Sequence, residues 1–423
     1  KENETVRIDV EKILPPKEII PEKVEQRDIV AKSYQLAQEI EVRHPNQEAL
    51  KKTAENPDAP VAKLVDELLV DALSRGASDI HIEPLRKWLK VRMRVDGALQ
   101  EVVRLPTAIK ENLIARIKIL SNLNITEKRL PQDGQISFTD SKEKSIKLRV
   151  SSLPSVYGEK IVMRILSSGQ LDVSIDSLGL TDRDKKLILR VLGSPNGLVL
   201  NTGPTGSGKT TTLYTMLQML NKGHVNIVTV EDPVEYQIEG ITQVQVNHTI
   251  GYTFEKVLRS FLRQDPDIML VGEIRDVETA EIALKAAVTG HMVLSTLHTN
   301  DAPTAVQRLV SMGLPPYLVA AACRLVIAQR LLRILCRECK EPSEITKAEE
   351  ALLEERERGQ LGKVFRAKGC PACHGTGFSG RRAIFEVMPI LTHEMRVAIA
   401  KESGPELVFA LAREEGMGSL RAE

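Results

Sequence analysis

The chain has 423 residues, of which 42% are hydrophobic, and this is enough apolar material for two or three separate cores. Lysine and arginine total 58 against 57 for aspartate and glutamate, so the overall charge does not favour binding to nucleic acid. Aromatic residues make up only 3% of the chain, which disfavours a single-strand-binding protein that needs aromatic stacking platforms. We therefore expect a multidomain globular protein with no nucleic-acid partner.

No stretch reaches the roughly 18 consecutive apolar residues that a membrane-crossing helix requires. Even the stretch from Leu314 to Leu335 is interrupted by Arg324, Gln329, Arg330 and Arg333. Five cysteines do not make a disulfide framework in so long a chain, and four of them fall in two CxxC pairs, which suggests a reducing compartment and a metal. The sequence thus predicts a soluble, cytoplasmic protein with no transmembrane segment of its own.

Composition and periodicity separate an N-terminal linker from a small domain. Residues 1–60 are rich in Pro, Glu and Lys, and we expect a linker that carries one helix, from Asp28 to Ile40. Residues 61–180 begin with an amphipathic helix, Ala62–Ser74, and continue as short alternating strands, which predicts a small α/β domain. Two Asp-Gly pairs are interpreted as turns of this domain: Asp96-Gly97 and Asp133-Gly134.

A different pattern begins near Gly197, where continuous apolar strands alternate with helices. The predicted strands are Leu198–Leu200, Ile227–Val230, Ile268–Val271 and Met292–Ser295. Such strands favour a parallel sheet covered by helices on both faces, which is a three-layer α/β/α domain. We expect this domain at residues 181–335, a cysteine-bearing subdomain at 336–385 and a C-terminal helical segment at 386–423.

A phosphate-binding loop is predicted between the first of these strands and a helix at Thr211–Leu220. The segment Gly203–Thr210 fits GxxxxGK(S/T), and glycines allow a tight turn whose backbone N–H groups surround phosphates at the positive end of the helix. In such a loop Lys209 reaches the β- and γ-phosphates and Thr210 ligates Mg²⁺. The strand and helix around the loop disfavour a chance match. The candidate nucleotide-binding residues here are Gly203, Pro204, Thr205, Gly206, Ser207, Gly208, Lys209, Thr210 and Thr211.

Two strands of the predicted sheet end in acidic residues, where open α/β sheets bind their ligands. Glu231 and Asp232 follow one strand, and Glu273 follows another. We interpret Glu273 as the residue that holds the Mg²⁺ shell and polarises the attacking water, with Glu231 or Asp232 in support. The alternative is that these carboxylates cap the helices that follow them.

Two histidines flank the last predicted strand. His298 lies just beyond its carboxyl end and is a candidate sensor of the γ-phosphate, whereas His291 lies at the other end. Because a lone histidine is more often a hydrogen-bonded structural residue, that alternative stays open for both.

The two CxxC pairs are Cys336/Cys339 and Cys370/Cys373, about 30 residues apart. Four thiolates suggest a tetrahedral Zn²⁺ site of the structural kind, because no ligand position is left for water. A redox pair or unmetallated cysteines are the alternatives. Cys323 lies within an apolar run and is interpreted as an ordinary buried residue.

Further sequence boxes accompany the loop and are the basis for assigning the chain to a family. The boxes are Val230–Glu235, Arg263–Asp267, Gly272–Asp276 and Thr289–Asn300. With the loop, they make residues 60 to 420 resemble the type II secretion and type IV pilus assembly ATPases. Two more boxes, Ala77–Pro84 and Arg149–Arg164, are similar to the second N-terminal domain of that family.

This resemblance implies a RecA-like core, a PAS-like small domain and a homohexamer in which ATP lies between the core and a neighbouring small domain. It implies that Arg149 and Arg164 contact the phosphates as catalytic arginines, and that Glu273 is the catalytic base. The remaining site residues implied by the resemblance are Arg263, Arg275 and Arg308 at further arginine positions, His298 as phosphate sensor, and the four paired cysteines as a zinc site.

The resemblance also implies a motor at the cytoplasmic face of the inner membrane that assembles pilin-like subunits through a membrane platform, with cytoplasmic docking proteins as partners. Because retraction ATPases of the superfamily lack the zinc site, the cysteines favour an assembly motor. The family's first N-terminal domain is expected to be absent or reduced to residues 1–60. Type IV pilus assembly is the main interpretation and type II secretion the alternative; a nucleic-acid translocase and a non-hydrolysing nucleotide-gated scaffold are rivals.

Overall fold

The structure, a computed structural model, describes residues 60–139, 145–166, 173–351, 353 and 363–420. The predicted helix from Asp28 to Ile40 therefore lies outside the described residues. Within the described ranges, no helix is both long enough and apolar enough to cross a membrane.

The small domain consists of two helices packed on one face of a six-stranded antiparallel sheet. Its elements are α1 (Pro60–Ser74), β1 (Ala77–Pro84), β2 (Trp88–Val95), β3 (Ala98–Pro106), α2 (Lys110–Leu120), β4 (Gln132–Thr139), β5 (Ser145–Ser155) and β6 (Gly158–Leu166). The strand order is β3-β2-β1-β6-β5-β4. Alternate residues such as Ile80 and Ile82 of β1 pack against Leu64 and Leu68 of α1 in one core. The predicted small α/β domain is confirmed.

The two Asp-Gly pairs of this domain have different structures. Asp96-Gly97 forms the predicted turn between β2 and β3, with positive φ at both residues. The turn predicted at Asp133-Gly134 is wrong, because both residues lie within β4. Gly134 lies very close to the backbone of Ser121. A Cβ atom added to Gly134 would be 2.3 Å from the carbonyl oxygen of Ser121. Glycine is needed there for a close approach, not for a turn.

The larger domain is built on a seven-stranded sheet of order β15-β12-β7-β11-β10-β8-β9. Its strands are β7 (Gly197–Thr202), β8 (Ile227–Glu231), β9 (Thr242–Gln245), β10 (Ile268–Val271), β11 (Met292–Leu297), β12 (Cys323–Leu335) and β15 (Phe378–Pro389). All described pairings are parallel except that of β12 with β15, which is antiparallel. The predicted parallel sheet is confirmed, with an antiparallel edge strand added.

Helices cover both faces of this sheet, as the apolar strands predict. Leu198 and Leu200 of β7 face one core, while Val199 faces the other. The helices are α3 (Asp182–Leu192), α4 (Lys209–Leu220), α5 (Phe254–Phe261), α6 (Val277–Val288), α7 (Ala302–Ser311), α8 (Pro316–Ala322), α10 (His393–Ala400) and α11 (Pro405–Glu414). Only α3 and α4 of these contribute to the core that contains Val199. The three-layer α/β/α architecture is confirmed.

Between β12 and β15 lie β13 (Glu341–Ser343), α9 (Lys347–Ala351) and β14 (Val364–Arg366), and β13 pairs with β14. The start of β15 also contacts the small domain. The backbone N–H of Gly380 donates to Oδ2 of Asp96 (2.9 Å), and Nε of Arg381 lies 3.8 Å from Oδ1 of the same carboxylate. The small domain thus contacts the larger domain through the turn between β2 and β3.

A buried ion pair fixes α2 of the small domain against β6. Nζ of Lys118, which is 0% exposed, lies 2.5 Å from Oε1 of Glu159, which is 6% exposed. Lys118 also donates to the carbonyl oxygen of Glu127, and Ser152 donates to Glu159. Each charge is therefore paired and hydrogen-bonded, which is the condition for burying it.

We expect Lys118→Met to lower the free energy of unfolding by about 3–5 kcal/mol, because it leaves the Glu159 carboxylate buried without its counter-ion. Urea unfolding followed by circular dichroism measures the loss. The double variant Lys118→Met/Glu159→Gln is the control and should recover a large part of the stability. A single variant as stable as the parent would contradict this account of the pair.

Candidate nucleotide and metal sites

The predicted phosphate-binding loop connects β7 to α4, and α4 begins at Lys209. Nζ of Lys209 donates to the carbonyl oxygens of Gly203 (2.7 Å) and Pro204 (3.1 Å), so the ammonium group lies over the loop. Burial lowers the pKa of Lys209 to about 8; the negative charge of Glu273 opposes this shift and the positive charge of Arg330 adds to it. The lysine is thus partly desolvated beside a second cation.

The loop is closely packed at its first glycine. A Cβ atom at Gly203 would lie 2.5 Å from the carbonyl oxygen of Gln329 and 2.7 Å from Oγ of Ser207, so a larger residue would force the backbone to shift. That hydroxyl oxygen of Ser207 is buried and has no hydrogen-bond partner in the described part of the chain. An unpaired buried hydroxyl in a glycine-lined turn before a helix N-terminus fits a bound phosphate group.

Glu273 follows β10 at the carboxyl edge of the sheet. Nη2 of Arg275 lies 2.6 Å from its Oε1, and Nε2 of His298, beyond the end of β11, lies 3.6 Å from its Oε2. The charge of Glu273 also acts on Lys209. The fold therefore brings together Lys209, Glu273 with the nearby Arg275, and His298, which lie on three separate segments of the sequence.

Glu231, at the end of β8, has a more enclosed environment than Glu273. Its carboxylate is 4% exposed and accepts hydrogen bonds from Tyr214, from Thr229 (2.6 Å) and from Gln243 (3.3 Å). Burial raises the pKa of Glu231, although these three donors oppose the shift. The next residue, Asp232, is exposed. Of the predicted acidic pair, Asp232 is therefore the member that is open to solvent.

The two small-domain arginines lie side by side and act on the larger domain of the same chain. Arg149 of β5 and Arg164 of β6 are direct partners in the antiparallel register. Nε of Arg164 is held by Oδ1 of Asp79 (2.9 Å), a carboxylate that is 5% exposed. Burial raises the pKa of Glu235, in the loop after β8, and the charges of Arg164 and Arg149 oppose that rise. The charges of both arginines, which are exposed, thus act on the segment that follows β8.

The described contacts do not bring three other candidates to this edge. Nη1 of Arg263 donates to the carbonyl oxygen of Arg259, one helical turn earlier, and Arg308 is exposed on α7. His291 lies at the amino end of β11, where its Nδ1 is 3.1 Å from the carbonyl oxygen of Ala286. This contact is the structural alternative that sequence reasoning left open for His291.

Gln329 is a residue of this region that sequence reasoning treated only as an interruption of an apolar run. Its Oε1 accepts hydrogen bonds from Nδ2 of Asn201 (3.0 Å) and Oγ1 of Thr212 (2.9 Å), and its side chain is buried. It thereby ties β12 to the strand and the helix on either side of the loop. An uncharged polar residue directly after the apolar run Leu325–Ala328 is the signal that could have identified it.

The four paired cysteines converge in a compact cluster. Their Sγ atoms all lie within 4.8 Å of one another, with separations of 3.9 Å for Cys336 and Cys370, 3.8 Å for Cys339 and Cys373, and 3.7 Å for Cys370 and Cys373. A tetrahedron with Zn–S bonds of about 2.3 Å requires S···S separations of about 3.8 Å. The donor set therefore fits zinc. Cys323 is fully buried in the sheet, where burial raises its pKa to about 12.

The family of the chain is decided by its match to a family model. The model described as type II/IV secretion system protein matches residues 54–423. The chain belongs to this family. The family resemblance predicted from the sequence boxes is therefore confirmed.

Two curated relatives in this family have nearly the same similarity to the chain. The type IV pilus assembly ATPase PilB of Pseudomonas aeruginosa is 48% identical over 372 residues, which cover 87% of this chain and 65% of that protein. The type II secretion system ATPase E of Vibrio cholerae is 46% identical over 349 residues, which cover 82% of this chain and 69% of that protein. The chain thus spans slightly less than two thirds of the length of this PilB relative.

Solved structures support the fold. The ATPase DotB of Legionella pneumophila has a TM-score of 0.59 at 23% identity and covers 83% of this chain and 87% of that chain. The pilus retraction motor PilT, solved with bound ADP, has a TM-score of 0.55 at 25% identity and covers 84% of this chain and 94% of that chain. The secretion ATPase fold predicted from the sequence is confirmed.

The depressed pKa of Lys209 predicts a pH dependence of nucleotide binding. Bound phosphates favour the charged ammonium, so above about pH 8 the lysine must take up a proton on binding. We expect ADP affinity to fall as the pH rises from about 7 to about 9, with proton uptake increasing over that range. Calorimetry in buffers of different ionisation enthalpy measures this uptake. An ADP affinity that stays constant from about pH 7 to about pH 9, with no proton uptake, would contradict the assignment to Lys209.

The cysteine cluster predicts one zinc ion per chain, measured by metal analysis of the purified protein. Cys370→Ser should release the metal and destabilise the described part of the segment between β12 and β15, where the paired cysteines form a buried cluster of their own. Cys323→Ala is the matched control, since this cysteine lies outside the cluster and the variant should keep its zinc. Equal zinc content in both variants would contradict the site.

Proposed function

We propose that this chain hydrolyses ATP at the carboxyl edge of its central sheet. The observation that carries the proposal is the loop in which Lys209 lies over the carbonyl groups of Gly203 and Pro204 while Glu273 acts on it electrostatically. Phosphoryl transfer depends mainly on positioning and charge neutralisation, and a lysine in this loop neutralises the β- and γ-phosphates. The other candidate residues of the loop, from Gly203 to Thr211, are proposed to surround the phosphates with their backbone N–H groups, except Pro204, which has no N–H and helps to shape the turn.

Glu273 is the proposed catalytic base, which accepts a proton from the attacking water. Its side chain is 15% exposed, and its contact with Arg275 limits its orientations. His298, near the other oxygen of the same carboxylate, is the proposed γ-phosphate sensor. Glu231, which is buried at the end of β8, is the proposed supporting carboxylate for Glu273.

The hydroxyl of Thr210, in the first turn of α4, and the exposed carboxylate of Asp232 are the proposed ligands of Mg²⁺. When bound, Mg²⁺ neutralises phosphate charge and orients the γ-phosphoryl group. The residues of this chain then need only hold the water and the phosphates in line.

Arg149 and Arg164 are the proposed arginine contacts to the phosphates. Support comes from their shared action on Glu235, which brings small-domain charge to the edge of the ATPase domain in the same chain. An arginine that contacts the transferred phosphoryl group accelerates phosphoryl transfer by about 10³- to 10⁵-fold. Arg263 and Arg308 are exposed, and we propose that they contact the nucleotide only after a movement of the small domain or at the site of a neighbouring chain.

The larger role we propose is that of a homohexameric motor for type IV pilus assembly. It would act as a cytoplasmic protein at the inner membrane, coupling ATP hydrolysis to the addition of pilin-like subunits through a membrane platform and docking proteins. The similarity to PilB supports this role. A type II secretion ATPase is the second candidate, supported by similarity of nearly the same degree. In either role, the tetracysteine cluster is proposed to bind structural Zn²⁺.

We expect Glu273→Gln to lower kcat for ATP hydrolysis by at least about 100-fold while ATP binding is retained, because the amide cannot accept the proton from water. Steady-state phosphate release and fluorescent-nucleotide binding measure the two effects.

Lys209→Ala is the comparison variant and should lose both binding and hydrolysis. If Glu273→Gln hydrolyses ATP at the parental rate, Glu273 is not the base. If the unmodified hexamer binds ATP without hydrolysing it, a nucleotide-gated scaffold replaces the motor.

A further inference from the structure

Arg330 lies on β12, next to the phosphate-binding loop. In the register of β12 with β7, Ala328 pairs with Thr202, the last residue of β7. Gln329 and Arg330 therefore lie just beyond the end of β7, beside the first residues of the loop. A Cβ atom at Gly203 would be 3.1 Å from Nη1 of Arg330. The guanidinium group thus contacts the start of the loop.

The position of Arg330 is fixed by its neighbour. The side-chain oxygen of Gln329 accepts hydrogen bonds from Asn201 and Thr212. The backbone of Gln329 also lies against the loop, since its carbonyl oxygen would be 2.5 Å from a Cβ atom placed on Gly203. The backbone of β12 is therefore locked against the loop immediately before Arg330. A side chain that is anchored in this way is pre-organised for a bound ligand.

The guanidinium group of Arg330 is oriented by carbonyl groups rather than by a carboxylate. Nη1 donates to the carbonyl oxygen of Gln329 (3.0 Å), and Nη2 donates to the carbonyl oxygen of Asn300 (2.7 Å) and lies 3.3 Å from Oδ1 of Asn300. Asn300 follows His298 after β11. Arg330 thus connects the loop with the segment that carries the proposed γ-phosphate sensor.

The charge of Arg330 is not balanced by an ion pair. Arg275 pairs with Glu273 and Arg164 pairs with Asp79, but no ion pair among the described residues involves Arg330. Its charge instead acts on Lys209, whose pKa it helps to lower, and on the buried carboxyl of Glu386, whose pKa is raised by burial against the opposing charge of Arg330. Two cations held near each other in a partly desolvated site favour an anion between them.

We propose that Arg330 is a catalytic residue that contacts the phosphate groups of the bound nucleotide from within the same domain. This inference rests on the proposed ATPase function and adds a cation to it. A planar guanidinium group forms two parallel hydrogen bonds to phosphate oxygens. Arg330 belongs to the ATPase domain itself, so its contact does not depend on the position of the small domain, whereas those of Arg149 and Arg164 do.

The test compares Arg330→Gln with Arg333→Gln in the full chain. Arg333 lies three residues later on the same strand and stacks 3.8 Å from the ring centre of Phe378, so its replacement controls for loss of one positive charge on β12. We expect Arg330→Gln to lower kcat at least about 100-fold and to weaken binding of ADP with aluminium fluoride by a similar factor, with affinity for ADP alone changed less than about threefold. Arg333→Gln should match the parent in all three measurements.

Arg330→Lys keeps the charge but not the planar fork, and it should recover part of the lost kcat. Unchanged affinity of Arg330→Gln for ADP with aluminium fluoride overturns the proposal, even if kcat falls, since the effect would then be structural. An unmodified chain that binds nucleotide but does not hydrolyse it refutes the proposed function alone, because the binding comparison still tests Arg330. Circular dichroism checks that each variant is folded.

Discussion

The parallel order of four neighbouring strands is the constraint on which the candidate site depends. Because β7, β11, β10 and β8 run in the same direction, their carboxyl ends meet at one edge of the sheet. Lys209, His298, Glu273 and Glu231 each come after or at one of these ends. The site is therefore a consequence of topology, and each strand is fixed in place by two cores, one on each face.

The polar groups at this edge differ in how completely the chain itself supplies their hydrogen-bond partners and counter-charges. Glu231 is surrounded by donors and buried, so its environment is complete within the chain. Lys209 and the hydroxyl of Ser207 are different, because the lysine is partly desolvated beside another cation and the hydroxyl has no described partner. Incomplete environments of this kind cost stability and are retained where a ligand completes them.

Sequence reasoning predicted the parts of the fold that depend on local pattern. The phosphate-binding loop, the apolar strands and the cysteine pairs are local signals, and the structure contains each of them. The antiparallel strand β15 was not foreseen, since its pairing with β12 joins segments separated by the cysteine region. Asp133-Gly134 was misread because the same dipeptide that favours a turn also allows the close approach of β4 to Ser121.

The candidate site was predicted less completely than the fold for the same reason. Arg330 and Gln329 could be seen in the sequence only as polar interruptions of an apolar run, and their function depends on the register of β12 with β7. The action of Arg149 and Arg164 on Glu235 likewise depends on how the two domains meet. Contacts of this kind are properties of the tertiary structure, which neither periodicity nor motif spacing specifies.

We infer a mechanism in which small-domain arginines complete a nucleotide site on the ATPase domain. Its most direct test is Mg-ATP hydrolysis by the parent and by Arg149→Ala, with hexamers counted by light scattering in both samples. We expect both proteins to form hexamers, and we expect the activity per hexamer to fall about 1,000-fold in the variant. Variant hexamers that hydrolyse ATP at the parental rate would contradict it.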